Sequence, residues 1–125
     1  MQPFDTDGSQ PDEATAPAIT IEAGRTIDLP QGTAKTITLS EGRELALYHI
    51  NGEINGEIHG EFYATENSCP HKGAPLANGL LCEYVIECDW HGWQFDVRTG
   101  ACLTVPERIE TYEVLVEDGV IRIVV

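Results

Sequence analysis

The chain has 125 residues, 42% of them hydrophobic. That bounds one domain with a single modest core, and it leaves no room for a large catalytic domain beside it. Seven basic against 21 acidic residues give a formal net charge of −14. Such a field repels nucleic acid and anionic membranes and speeds encounter with a basic partner, although it serves solubility equally well. No apolar run approaches the ~18 residues of a membrane span. The opening MQPFDTDGSQ lacks the basic and apolar regions of a secretory signal. A soluble, cytoplasmic protein is expected.

Residues 1–17 (MQPFDTDGSQPDEATAP) are rich in Pro, Asp, Ser, Thr and Gln. They cannot bury enough apolar surface to offset their ordering entropy, so a disordered acidic tail is expected, with an acidic docking arm as the functional alternative. From Ala18 the pattern changes. AITIE, KTITL, ELALYHI, EFYAT, YVIEC, WQFDV, TYEVLVE and VIRIVV are short, rich in β-branched and aromatic residues, and bounded by Gly, Pro, Asn or Asp. They predict an all-β domain over 18–125, built of hairpins. The near-repeat NGEINGEIHGE at 51–61 reads as a long hairpin tip, a lengthened surface loop or a local duplication. APLANGLL has helix-like apolar spacing, but its proline and glycine interrupt it. Glu117-Asp118-Gly119 predicts a tight turn between the last two strands, because Asp-Gly tolerates positive φ.

Four cysteines, Cys69, Cys82, Cys88 and Cys102, could form two disulfides. Nothing else indicates an oxidising compartment, and cytosolic cysteines more often bind metal or stay reduced. Cys82 and Cys102 are expected as buried reduced thiols. Cys69 belongs to a different pattern. Cys69-x-His71 is followed, after sixteen residues, by Cys88-x-x-His91, so each half offers one thiolate and one imidazole. Gly73 and Gly92 follow the histidines closely, and a backbone without Cβ can wrap around a bulky prosthetic group. Tetrahedral zinc accepts two Cys and two His. A [2Fe–2S] cluster accepts the same set with both Cys on one iron and both His on the other. Spacing alone leaves both open. His49 and His59 lack partners in the pattern and are expected at the surface.

The surrounding residues go further. CPHKGAPLANG at 69–79 and CDWHGWQFDVRTG at 88–100 resemble the Rieske family in both cysteine–histidine boxes, the glycine after the second histidine and the Phe-Asp-x-x-x-Gly tail. The resemblance implies an antiparallel β-sandwich with two projecting cluster-binding loops, at about 67–93. It implies one [2Fe–2S] cluster, with Cys69 and Cys88 on the buried iron and His71 and His91 on the outer iron. Exchanging two thiolates for two neutral imidazoles removes negative charge and raises the potential relative to an all-Cys cluster. The histidines can titrate, so reduction is expected to couple to proton uptake.

Departures from the respiratory-chain members also inform. Where those carry a disulfide between the boxes, this chain has Ala74 and Trp90. Where they place Ser and Tyr hydroxyls near the sulfurs, it has Trp93 and Phe95. Fewer hydrogen-bond donors imply a potential near the bottom of the Rieske range, about −150 mV. Trp90 and Trp93 are expected to shield the cluster and pack the loops. Lys72 is the only basic residue between Cys69 and Trp93, against Glu83, Glu87 and Asp89, so the cluster end reads as acidic.

The resemblance thus implies a monomeric electron carrier between a flavin-dependent reductase and a terminal, ring-hydroxylating oxygenase. It would transform no substrate itself. The chain shows no 2-His-1-carboxylate set beyond the boxes and no Gly-x-Gly-x-x-Gly fingerprint for NAD. Two alternatives are the small subunit of an assimilatory nitrite reductase and a zinc-stabilised interaction module.

Overall fold

The computed structural model describes residues 19–54, 57–70, 73–89 and 92–125. Its longest strand explains the architecture. The run ELALYHI has no polar alternation over Leu45 to Tyr48, and Leu45, Ala46, Leu47, Tyr48 and Ile50 are all fully buried. A strand covered on both faces reads as a continuous apolar run. Ala46, Tyr48 and Ile50 face one core, with Ile86, Phe95 and both Cys69 and Cys88. Leu45 and Leu47 face a second core, with Ala23, Ile37, Ile121 and Ile123.

The strands run in chain order as β1 (Thr20–Arg25), β2 (Thr33–Thr38), β3 (Glu44–Ile54), β4 (Glu57–Glu66), β5 (Leu80–Cys82), β6 (Val85–Glu87), β7 (Gln94–Asp96), β8 (Thr111–Tyr112), β9 (Val114–Glu117) and β10 (Val120–Val124). Among the described residues they form three antiparallel sheets, ordered β2-β3-β4-β8, β9-β10-β1 and β5-β6-β7. The four-stranded sheet lies in the middle. The β1-β10-β9 sheet contributes to one core and the β5-β6-β7 sheet to the other. The all-β expectation is met.

The expected Asp-Gly turn forms. Asp118 and Gly119 have φ of 52° and 77°, and Glu117 pairs with Val120, as a two-residue turn with two positive φ requires. In the 51–61 stretch, residues 51–54 pair antiparallel with 57–60, the ladder running out to Ile54↔Glu57, and residues 55 and 56 lie outside the described residues. APLANGLL contains one 3₁₀ turn at Leu76–Asn78 and then strand β5, which the alternation does not announce. The 1–17 tail lies outside the described residues. No helix among the described residues is long and apolar enough to cross a membrane.

His49 departs from its expected surface position and is only 8% exposed. It sits opposite Phe62 in the β3–β4 ladder, and the rings stack at 4.1 Å. Nδ1 lies 2.6 Å from the Leu29 carbonyl, which can only accept, so Nδ1 is the donor. Burial is tolerated because that proton has a partner.

Candidate metal centre

Two loops rise from the β5-β6-β7 side of the molecule. The first runs from Asn67 at the end of β4 to Gly79 before β5. The second, Cys88 to Trp93, joins β6 to β7. They close by the same hydrogen bonds. Cys69 N–H donates to the Ala74 carbonyl (2.9 Å), and Gly73 N–H donates to the Cys69 carbonyl (2.6 Å). Cys88 N–H donates to the Trp93 carbonyl (2.7 Å), and Gly92 N–H donates to the Cys88 carbonyl (3.0 Å). In each loop the chain returns to its cysteine after four residues, through a glycine at φ 75° (Gly73) or 72° (Gly92). Those glycines are needed for the left-handed backbone.

The duplication puts two thiols in equivalent places. Cys69 is 0% and Cys88 2% exposed, in one buried cluster. His71, Lys72, Trp90 and His91 lie outside the described residues, within or beside these closures. Among the described residues no group of three or more His, Cys, Asp or Glu gathers. The structure therefore assembles the cysteine half of the expected set. The donor chemistry fits a group that takes two thiolates from the protein interior, because a buried thiolate is tolerable only beside compensating positive charge such as a metal. It also fits a group held by loops free of any bracing disulfide, since none of the four cysteines is disulfide-bonded.

Two aromatic side chains beside the cysteines offer them no hydroxyl hydrogen bond. Phe95 is fully buried in the cysteine cluster and has no hydroxyl. The Tyr48 hydroxyl, in the same cluster, lies 2.9 Å from Thr65 Oγ1. Thr65 in turn donates to the Glu66 carbonyl, so Tyr48 is the donor to Thr65 and is turned to that partner. Trp93 packs against the cluster with its ring 6.5 Å from Phe95, in keeping with a role in packing the loop. Trp90 lies outside the described residues.

The first loop is tied down by a residue the sequence patterns do not single out. Asn67, 5% exposed, accepts from Ala77 N–H through Oδ1 (2.8 Å). Its Nδ2 donates to Thr36 Oγ1 and Glu44 Oε1, both at 3.2 Å. One side chain thus links the 3₁₀ turn of the loop to β2 and β3. At the second loop, Gln94 Nε2 donates to Glu87 Oε1 at 3.2 Å. The two residues face each other across β6 and β7, directly below Cys88 and Trp93.

The far end of the small sheet is also fastened. Arg98 pairs with Asp96 at 2.8 Å and lies 4.0 Å above the Tyr84 ring. Tyr84 and Tyr63 both donate to Glu61, at 3.3 and 2.5 Å. Partial burial and the Glu61 carboxylate push the Tyr63 phenol up to about 12. In the Phe-Asp-x-x-x-Gly tail, Gly100 N–H returns to the Asp96 carbonyl (2.7 Å). A Cβ on Gly100 would lie 2.1 Å from the Ile109 carbonyl oxygen, and its φ is +80°, so the motif's glycine has a steric cause.

Cys82 and Cys102 are not the buried pair expected. Cys82 is exposed and Cys102 half-buried. Cys102 bridges Phe95, in the row of β5-β6-β7 that faces the core, whereas Cys82 pairs with Val85 in the next row. Adjacent rows point to opposite faces, so the two thiols cannot meet. Burial acts to raise the Cys102 thiol, but hydrogen bonds from Thr104 and nearby backbone outweigh it and lower it.

Comparison with known proteins agrees with this geometry. The Rieske [2Fe–2S] domain matches residues 20–113. The ferredoxin component of the naphthalene 1,2-dioxygenase system of Pseudomonas aeruginosa is 40% identical over 99 residues, covering 78% of this chain and 86% of that protein. Among solved structures, the complex of reduced oxygenase and oxidised ferredoxin in carbazole 1,9a-dioxygenase contains a chain that superposes with a TM-score of 0.72 at 30% identity, over 86% of this chain and 94% of that one. A putative NADH-dependent nitrite reductase small subunit from Mycobacterium tuberculosis superposes equally well, TM-score 0.72, at 20% identity over 86% and 96% of the two chains. That likeness concerns the fold alone.

Proposed function

This chain belongs to the Rieske [2Fe–2S] family, and we propose from that premise that it is a one-electron carrier of a multicomponent oxygenase. The observation that carries the reading is the pair of like-closed loops that bury Cys69 and Cys88 in one cluster. The family's cofactor is a single [2Fe–2S] cluster, which when bound accepts and releases one electron. Cys69 and Cys88 hold it from within, and His71 and His91 complete the set. Phe95 and Trp93 keep water from the thiolate side. Phe95 lacks a hydroxyl and that of Tyr48 is committed to Thr65, which supports a potential low in the Rieske range, about −150 mV.

The carrier takes one electron from a flavin-dependent reductase and passes it to a terminal oxygenase. No bond is made or broken in a substrate of its own. The similarity to ferredoxin components of dioxygenase systems supports this assignment. A net charge of −14 favours brief contacts with basic surfaces and argues for a monomer between encounters.

The test is EPR of the purified protein after anaerobic reduction with dithionite. A rhombic signal with an average g value below that of an all-Cys cluster is expected. A colourless, zinc-containing and EPR-silent sample would leave the fold standing and end the carrier reading. A permanent complex with a large sirohaem subunit would instead favour the nitrite reductase role.

A further inference from the structure

We infer that Glu87 is a charge-tuning residue that holds the cluster's potential down from the neck of the second loop. The inference rests on the reading that the two loops hold a [2Fe–2S] cluster. Glu87 is the last residue of β6, next to Cys88, and is half-buried. Oε1 is fixed by the Gln94 amide at 3.2 Å. Oε2 lies 3.6 Å from where a Cβ on Gly92 would sit. The carboxylate therefore lies across the loop's base, against the glycine that follows His91. Gly79, from the first loop, closes over the backbone of the same residue, since a Cβ there would be 2.1 Å from the Glu87 carbonyl oxygen. Both loops thus meet at Glu87.

A negative charge fixed there opposes the arrival of an electron. Among the described residues its side-chain partner, Gln94, is neutral, and no ion pair cancels its field. The arginine of this hairpin, Arg98, stands at its other end and is engaged with Asp96. Partial burial weakens screening by salt. Other acids of this region, Glu83 and Asp89, are exposed, and water screens them more. Glu83 also sits in the turn at the far end of β5 and β6.

Potentiometric titration of the cluster-loaded protein, followed by EPR or visible circular dichroism, tests the inference. Removing one charge at such a site is worth about a three- to tenfold change in a one-electron equilibrium, about 28 to 59 mV. Glu87→Gln is expected to raise the potential by that amount with an unchanged EPR line shape. Glu87→Asp keeps the charge and is expected to stay near the native value. Glu83→Gln, the exposed control, should not move it. Gln94→Leu keeps the carboxylate but frees it to swing into solvent, and should give a smaller rise. An intact signal with Glu87→Gln at the native potential overturns the inference. Should Glu87→Gln fail to hold the cluster, Gln94→Leu decides alone: a rise supports the inference, and no change overturns it. If the native protein shows no mixed-ligand signal, the carrier reading fails and this inference falls with it, a result distinct from an intact signal that ignores Glu87.

Discussion

Asn67→Ala is expected to loosen the first metal loop more than any surface change near it. The substitution removes three side-chain hydrogen bonds, to Ala77 N–H at 2.8 Å and to Thr36 and Glu44 at 3.2 Å each. Thr36 and Glu44 are exposed, and water can replace Asn67 there, so those two bonds count for little. The Ala77 N–H is different, because it lies in the loop's 3₁₀ turn beside fully buried Leu76. Ala77 is half-buried, so losing the bond and leaving that donor partly unsatisfied costs about 1–2 kcal/mol. Loss of a cluster is irreversible, so the useful measure is the half-life of visible absorption at a fixed elevated temperature. If the Asn67 contacts are absent from the transition state for unfolding, about 1–2 kcal/mol shortens that half-life by about 5- to 30-fold. Asn67→Asp keeps an acceptor for Ala77 but loses both donations and faces Glu44, so it should fall between. A half-life for Asn67→Ala within about twofold of native would refute the claim that this side chain anchors the loop.

Other substitutions probe separate features. A Cβ on Gly79 would lie 2.1 Å from the Glu87 carbonyl oxygen, whereas one on Gly42 meets nothing within 4 Å. Gly79→Ala should therefore abolish cluster incorporation during expression, while Gly42→Ala, strained only by its φ of +96°, should cost about 1 kcal/mol and keep the cluster. Phe95→Tyr should raise the potential if its hydroxyl reaches a cluster sulfur, and potentiometry of the loaded variant checks it. His91→Cys should lower the potential by adding a negative charge; an unchanged value in an intact cluster would remove His91 from the ligand set. The Asp96 carboxyl is held below its usual range, chiefly by hydrogen bonds from the Arg98 side chain. A lowered folded pKa means the bridge stabilises above the unfolded carboxylate range, near 3.9, and that this is lost as pH falls through the folded value. Arg98 is exposed, so solvent screens the bridge and the effect is small. Asp96→Asn should flatten the acid limb of a stability-versus-pH curve by that small amount.

The fold was legible where local chemistry and tertiary structure ask for the same thing. Asp118-Gly119 needs two positive φ values and supplies residues that accept them. ELALYHI is apolar on both faces because a layer covers each. Strand β5 was hidden because its three residues, Leu80–Cys82, show alternation too short to register. What makes them a strand is pairing to β6, a partner choice the local sequence does not encode. His49 was misplaced for a related reason. A histidine in isolation reads as polar, and only the ladder reveals Phe62 opposite it and the Leu29 carbonyl within reach.

The site divides the same way. The cysteines proposed as ligands announce themselves by spacing, because ligands of one metal group must recur at short, fixed intervals on closing loops. The residues that support them do not. Asn67 reaches Ala77, ten positions on, and Thr36, thirty-one positions back, so no motif can carry it. Glu87 and Gln94 straddle a complete loop, seven positions apart, and look like ordinary surface residues of two strands. Register makes them neighbours: Cys88 N–H binding the Trp93 carbonyl fixes the loop's base, and the preceding and following residues must then pair. Loop closure that buries a thiol therefore also brings the side chains just outside it face to face. In the first loop the residue just before the closure is exposed Ser68, and the contact falls instead to Asn67 and Ala77. The two loops are alike in backbone and unlike in what stands at their bases. One base holds a neutral amide, buried and fully bonded, and the other a carboxylate. If the potential responds to Glu87 while cluster retention responds to Asn67, the near-symmetric loops divide their work: the first secures the cluster and the second sets its charge.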